Sequence, residues 1–336
     1  MKKKIVTSAL AIASAAVLTL SFAGCKKEES ISKADFVNGA YSSYATYMEN
    51  FNAAQKDPST YSGLSLTANS TSEMSYKGEW EYTPSGASAP TTQEYTATVN
   101  STLSLKVDIK AIDGVMHLFV NAVEKESATS YSVVDSNSPM VAKKSVGETS
   151  TTWEFGKSGE LFFARTAETE KVGESTEGEP TLGDPTTTKE YTTYSNEGSY
   201  YSAISSLLDR YNQAYALAPF NLLESSSDYD SIEYFKAKNS NTYKAVISAT
   251  QLMIDSYYPD ESGKYSTSAT VVFGAEGVSS VDTTTKATMP MRSMSMSSNY
   301  QIAYSSDAAA VSDPFDGYTE NYLSVNNAFF YPSSMY

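Results

Sequence analysis

The residues from 95 to 109 alternate between two kinds of side chain, and this alternation restricts the fold more than any other feature of the chain. Positions in phase with Tyr95 are apolar apart from Ser101, and the positions between them are Thr, Asn, Ser, Lys or Asp. Because successive side chains on a strand point to opposite faces, the pattern predicts one strand with an apolar and a solvated face. At about 3.3 Å per residue this strand would be about 50 Å long. Strands of that length occur in large antiparallel sheets that curve or carry bulges.

The remaining elements predict an α+β fold. An apolar stripe that starts at Phe36 predicts a helix ending near Pro58, and a second helix is predicted from Ser199 to Ala218. Shorter alternating runs predict further strands, and no strand–helix–strand order appears. We therefore expect a large curved antiparallel β-sheet, half-barrel-like, with two packed helices. In this interpretation residues 33–336 form a single domain. Residues 166–190, which are acidic and rich in Gly, Pro and Thr, form a surface loop. The alternative is two similar α+β halves joined at 166–190.

The first 24 residues have the three parts of a secretion signal. Lys2, Lys3 and Lys4 are followed by an apolar run from Ile5 to Leu20, and small residues come before Cys25. The apolar run is shorter than the ~20 residues that a membrane span needs. We therefore predict a signal peptide over residues 1–24 that is removed from the mature protein.

Residues Phe22-Ala23-Gly24-Cys25 resemble the lipobox of bacterial lipoproteins. In that family the cysteine sulfur receives a diacylglycerol, the chain is cut before it, and the new amino group is usually acylated. The resemblance covers the leader and Cys25. It implies a lipid anchor in a bilayer of the cell envelope, outside the cytoplasm, with residues 25–32 as the lipidated cysteine and its tether. Lys26 also resembles the residue after the cysteine in lipoproteins of the Gram-negative outer membrane. The alternative is a plain secretion signal followed by a free cysteine.

The charge of the chain restricts its partners. The formal net charge is −15, so the surface lacks the basic footprint that nucleic acid requires. Cys25 is the only cysteine, so the chain has no disulfide of its own to stabilise it.

No constellation of residues predicts catalysis, and we expect neither an enzyme nor a bound cofactor. His117 is the only histidine, and we expect it on the surface or on a sheet face. No HExxH, GxSxG or Gly-rich phosphate-binding motif is present. Carboxylates for a glycosidase pair could come from many positions, and the sequence does not rank them: Glu79, Glu81, Asp255 and Glu261. Two further acidic clusters are expected to be solvated loop charge rather than calcium sites: Asp228/Asp230 and Asp313/Asp316/Glu320.

Four methionines lie close together near the C-terminus, at Met289, Met291, Met294 and Met296. Thioether sulfur suits Cu(I), so this cluster is the one candidate metal site. The other interpretation is that these flexible side chains fill gaps between irregular strands.

Two hypotheses for function follow. The order of elements resembles the half-barrel of periplasmic lipoprotein and lipid carriers, which implies a non-catalytic binding module for an apolar ligand. The residues that would line its cavity are Tyr44, Met48, Phe51, Val99, Leu103, Leu105 and Val107. Alternatively, the chain is a structural or adhesive lipoprotein, whose Tyr- and Thr-rich faces bind an envelope protein or a glycan. The 26 tyrosines would supply rigid contact area for such a partner.

Overall fold

The computed structural model describes residues 28–40, 63–210, 230–254, 262–310 and 313–321, together with positions 42, 45 and 49. Within these residues one curved, open sheet of thirteen strands dominates the fold. Its strand order is β1-β8-β9-β10-β11-β12-β2-β3-β4-β5-β6-β7-β13. The strands are β1 Glu28–Ser30, β2 Leu64–Tyr82, β3 Thr91–Ile112, β4 Val115–Ser132, β5 Val141–Ser158, β6 Leu161–Ser175, β7 Thr186–Tyr194, β8 Ser231–Ala237, β9 Tyr243–Ile254, β10 Ser262–Phe273, β11 Val278–Thr288, β12 Arg292–Ala303 and β13 Thr319–Glu320.

The long strand predicted from the alternation is confirmed as β3, which is 22 residues long. It pairs antiparallel with β2 on one side and β4 on the other. The turn after it was also predicted: Asp113 and Gly114 have φ values of 50° and 78°. Positive φ at both central residues is typical of a tight hairpin turn that follows the twist of its strands.

Two helices lie among the described residues. Helix α1 covers 33–40, and positions 42, 45 and 49 are also helical. Its start is the predicted one, because the backbone N–H of Asp35 donates to Ser32 Oγ at 3.1 Å. Helix α2, Glu197–Arg210, begins two residues before the predicted position. There Asn196 Oδ1 accepts from the N–H of Ser199 at 2.9 Å. The predicted continuation to Ala218 lies outside the described residues.

The helices pack on the apolar face of the sheet, α1 against β8 and β10 and α2 against β6 and β7. On α1, the Phe36 ring centroid lies 4.9 Å from that of Tyr234 and 5.7 Å from that of Phe273. On α2, the Tyr200 ring is 4.9 Å from that of Phe162, and its hydroxyl donates to Met116 O at 2.6 Å. We call this side of the sheet the helix-packed face. The end of the sheet with the 113–114 and 238–242 turns is the core end, and the end with loops 83–90, 133–140 and 176–185 is the distal end.

Two predicted boundaries were wrong. The segment 166–190 is not one loop, because β6 continues to Ser175 and β7 begins at Thr186. Its residues are polar on both faces of a solvated part of the sheet, so they lack the apolar period that marks a strand. Within the predicted tether 25–32, residues Glu28–Ser30 form strand β1, which pairs with Phe235, Lys236 and Ala237 of β8.

The opposite face of the sheet is covered at its core end by residues 304–310 and 313–321, which we call the C-terminal segment. Arg165 forms an ion pair with Glu154, and its Nη1 donates to Pro314 O at 3.2 Å. The guanidinium also lies 4.8 Å from the Tyr318 ring centroid. The Phe315 ring is 4.8 Å from that of Tyr191. These contacts hold the segment over strands β5, β6 and β7.

Candidate functional site

The residues predicted to line an apolar cavity divide into three groups. Leu105 and Val107 are 3% and 2% exposed and belong to the packed core. Val99 and Leu103 lie further along the same face of β3 and are half-buried. Three other predicted residues lie outside the described residues: Tyr44, Met48 and Phe51.

Beyond the core, the helix-packed face becomes polar and acidic. Glu124 on β4 pairs with Leu103 and Thr149 across the neighbouring strands. Burial raises the pKa of Glu124, and the Glu126 carboxylate raises it further. Burial also raises the pKa of Glu168, on β6, ahead of the effect of Glu170. A desolvated carboxylate is a poor lining for an apolar ligand, because its charged form requires water or a partner.

Toward the distal end, aromatic and thioether side chains follow this acidic zone on β2, β3, β4 and β12. Met74 lies directly across from Met294, and Tyr76 from Arg292. The Tyr76 ring centroid is 6.1 Å from that of Tyr95. These residues and their neighbours are what we call the distal face: Met74, Tyr76, Trp80, Tyr95, Tyr131, Arg292 and Met294.

The rings of the distal face are held in place but not buried. Tyr95 lies across from Gly78, and a β-carbon at that position would come within 2.4 Å of the Tyr95 ring. Because Gly78 has no side chain, the Tyr95 ring can lie directly over its backbone, as occurs when an aromatic side chain covers a glycine on the neighbouring strand. The Tyr131 ring lies 5.3 Å further along. Tyr76, Tyr95 and Tyr131 are all half-buried, so each ring keeps a surface that a partner can cover.

Loop 133–140 borders the distal face and is fastened to it. Trp80 Nε1 donates to Ser138 O at 3.2 Å. The Gln93 amide donates to Met140 O at 3.2 Å and accepts from Met140 N at 2.7 Å. The loop exposes an apolar side chain in spite of this order, since Val134 is 71% exposed.

The four clustered methionines do not share one environment. Met294 and Met296 lie on one face of β12, and Met296 is 42% exposed. Met289 and Met291 lie in the turn before β12, where Met291 O accepts from Lys77 N at 2.8 Å. Copper binding by these residues remains a prediction. Met294 also lies directly across from Met74 on β2.

Among the described residues, the candidates for catalysis and metal binding do not come together. No group of three His, Cys, Asp or Glu residues there is arranged to hold a metal ion. His117 lies on a sheet face, as predicted, but is only 4% exposed. Burial lowers its pKa, and Asp113 opposes that shift. Glu79 and Glu81 are exposed on β2, and so is Asp313 in the C-terminal segment. Asp230, Asp316 and Glu320 are exposed as well. Asp228, Asp255 and Glu261 lie outside the described residues.

The predicted anchor residue, Cys25, also lies outside the described residues, three positions before β1. None of the helices in the described part of the chain is long and apolar enough to cross a membrane.

Comparison with known proteins gives distant likenesses in structure. No protein-family model matches the chain, and no curated protein matches it. The translocator domain of the autotransporter NalP from Neisseria meningitidis is 6% identical, with 78% of this chain and 96% of that chain covered and a TM-score of 0.23. The beta domain of the Bordetella autotransporter Brka is 8% identical, with 71% and 99% covered and a TM-score of 0.19. At these TM-scores neither likeness carries an inference about this chain.

Proposed function

We propose that this chain is a lipid-anchored protein of the bacterial cell envelope that binds a protein partner through its distal face and has no catalytic activity. The anchor would be Cys25, acylated after removal of residues 1–24. Two or more acyl chains hold a protein on a bilayer stably, whereas one chain gives marginal binding. We place the protein outside the cytoplasm, on the outer membrane if the organism is Gram-negative. We also propose that the curved sheet is half-barrel-like, with both helices in its concavity.

One observation supports this function most: the distal face combines tyrosine, tryptophan, methionine and arginine on a fixed backbone. These are the residue types enriched in protein interfaces, and Trp, Tyr and Arg dominate their binding energy. Methionine adds a flexible apolar surface that adapts to a partner. The Trp80 and Gln93 bonds to loop 133–140 keep the surface ordered before binding, which reduces the entropy lost on association.

Site-specific photo-crosslinking in intact cells tests this function. A photoreactive phenylalanine analogue at position 95 should give a discrete crosslinked protein, whereas the same analogue at Thr102, on the opposite face of the same strand, should not. The crosslink at 95 should disappear when Tyr76→Ser and Met294→Ser are introduced together. A crosslink of equal yield from both positions, or one that the double variant leaves unchanged, would contradict a partner site on the distal face.

A second candidate function is the carriage of an apolar ligand. It is favoured by Val99 and Leu103, which are half-buried on the helix-packed face between the core and the distal face. Mass spectrometry of a form that begins at Lys26, purified without detergent, should then detect a co-purified lipid. That form should also take up a fluorescent fatty acid, and Leu103→Glu should abolish the uptake. Protein that contains no lipid and takes up no fatty acid would rule out this candidate.

A further inference from the structure

The structure joins the predicted anchor directly to one corner of the sheet. Strand β1 begins at Glu28, so at most about 11 Å of extended chain separates it from Cys25. Within β1, Glu28 pairs with Ala237, and Ser30 pairs with Phe235. Because β1 and β8 are antiparallel, the chain from Cys25 arrives from beyond Ala237, where the 238–242 turn connects β8 to β9. A lipid on Cys25 therefore has no long tether, and this turn would lie close to the bilayer.

The same corner is basic in an acidic protein. The described residues 28–29 and 236–244 contain three lysines and two glutamates, and Lys26 and Lys27 precede them in sequence, whereas the whole chain has a net charge of −15. Glu28 is paired with Lys244. Lys238 is exposed in the turn, and Lys236 Nζ lies 5.4 Å from the Tyr243 ring centroid. Exposed acids occur at both ends of the sheet, among them Asp113 and Glu276 at the core end and Glu177 and Glu179 in loop 176–185.

A polar depression lies at this corner. It has a volume of about 470 Å³ and is lined by Glu29, Lys236, Ala237, Asn239, Ser240 and Asn241. An ammonium group together with amide and hydroxyl donors matches the hydrogen-bonding needs of a phosphate oxygen.

We propose that this corner, β1 with the β8–β9 turn, is a membrane-contact surface whose lysines bind the anionic headgroups of the bilayer that holds the lipid anchor. The inference rests on the proposed function, because it requires the acylated Cys25. Lysines near an anionic leaflet are attracted to it over roughly a Debye length, about 8 Å at physiological ionic strength. Attachment through Cys25 and the attraction of these lysines together orient the sheet with this corner toward the membrane and its distal face toward a partner.

Fluorescence quenching tests the orientation in the lipidated protein. The acylated protein has no free thiol, so Asn241→Cys and, at the distal end, Ser85→Cys each provide one labelling site. Each labelled protein is reconstituted in phosphatidylcholine vesicles that contain phosphatidylglycerol and a headgroup quencher. We expect loss of fluorescence at position 241 and unchanged fluorescence at position 85. Equal quenching at both positions, or quenching only at position 85, would overturn the proposal.

Two further arms test the lysines. The loss of fluorescence at position 241 should be smaller in vesicles of phosphatidylcholine alone. It should also be smaller in the double variant Lys236→Gln/Lys238→Gln. A matched pair on exposed positions of β10 and β11, Lys264→Gln/Lys286→Gln, should leave it unchanged. Quenching that is independent of both phosphatidylglycerol and Lys236/Lys238 would overturn headgroup binding. Vesicle flotation separates this result from failure of the anchor, because a protein without acylated Cys25 would not float with the vesicles.

Discussion

Gly156 illustrates how closely single residues are packed around the buried histidine. A β-carbon at Gly156 would come within 2.6 Å of the His117 ring and 3.1 Å of the Phe163 ring, whereas at Gly147 on the same strand the nearest atom is 4.0 Å away. We expect Gly156→Ala to lower the free energy of unfolding by about 1–3 kcal/mol, as overpacking does. Gly147→Ala is the control. Urea denaturation of both variants checks this, and equal losses would show that the His117 ring moves aside at no cost.

Two glutamates on adjacent strands should respond to pH with opposite signs. Burial raises the pKa of Glu124 above the 4.5 of an unperturbed glutamate, so its effect on stability is unfavourable above that pH and fades as the pH falls. Hydrogen bonds from Lys125 and Lys171 lower the pKa of Glu148, so its contribution is favourable above pH 4.5 and is lost on acidification. At pH 7 we therefore expect Glu124→Gln to raise the urea midpoint and Glu148→Gln to lower it.

At pH 4 the difference between the two variants should shrink, because Glu124 is then largely protonated in the folded state, and the favourable contribution of Glu148 declines as the unfolded chain takes up its proton below pH 4.5. Urea midpoints at pH 4 and pH 7 check the sign and the trend. A shift in the same direction for both variants at pH 7 would contradict this account of the two carboxyl groups.

At the scale of elements, Arg165 fastens part of the C-terminal segment, residues 313–318, to the sheet. Arg165→Met removes the ion pair with Glu154 and the bond to Pro314 O. We expect a loss of about 2–3 kcal/mol in the free energy of unfolding, typical of hydrogen bonds made by a buried charge. Limited proteolysis should then cut within 304–321 before the sheet unfolds.

The partner residue supplies the control for this prediction. Much of the loss in Arg165→Met comes from leaving the Glu154 carboxylate uncompensated. The double variant Arg165→Met/Glu154→Gln should therefore lose less than the two single variants together. If the losses of the two single variants simply add in the double variant, and proteolysis does not cut the C-terminal segment early, the ion pair does not hold that segment on the sheet.

The strands differ in how far the local sequence predicts them. The alternation in 95–109 and the Asp113-Gly114 turn were sufficient for β3 and its hairpin, because strand period and turn chemistry are local. Strands β6 and β7 were missed where their residues are polar on both faces, since hydrogen bonding to neighbouring strands defines them there. The pairing of β1 with β8 was also missed, because three residues such as Glu28–Ser30 have no period of their own.

At the scale of the whole molecule, the sequence predicted one large antiparallel sheet with two helices but not its connectivity. The contacts of Phe36 with Tyr234 and of Tyr200 with Phe162 join parts of the chain that are far apart in sequence, and so does the pairing of β12 with β2. The distal face was missed for the same reason. Met294 was noticed for its spacing to other methionines, whereas its position across from Met74 depends on strand register.

We propose that the chain is cut before Cys25 and held on an envelope membrane by acyl chains on that residue, and the orientation inferred above depends on this claim. The intact mass of the protein extracted from its native membrane measures this most directly. We predict a chain that begins at Cys25 and is heavier than its sequence by a diacylglycerol, and by a further acyl group where the new amino group is modified. A mass that includes residues 1–24, or that matches an unmodified cysteine, would contradict the claim.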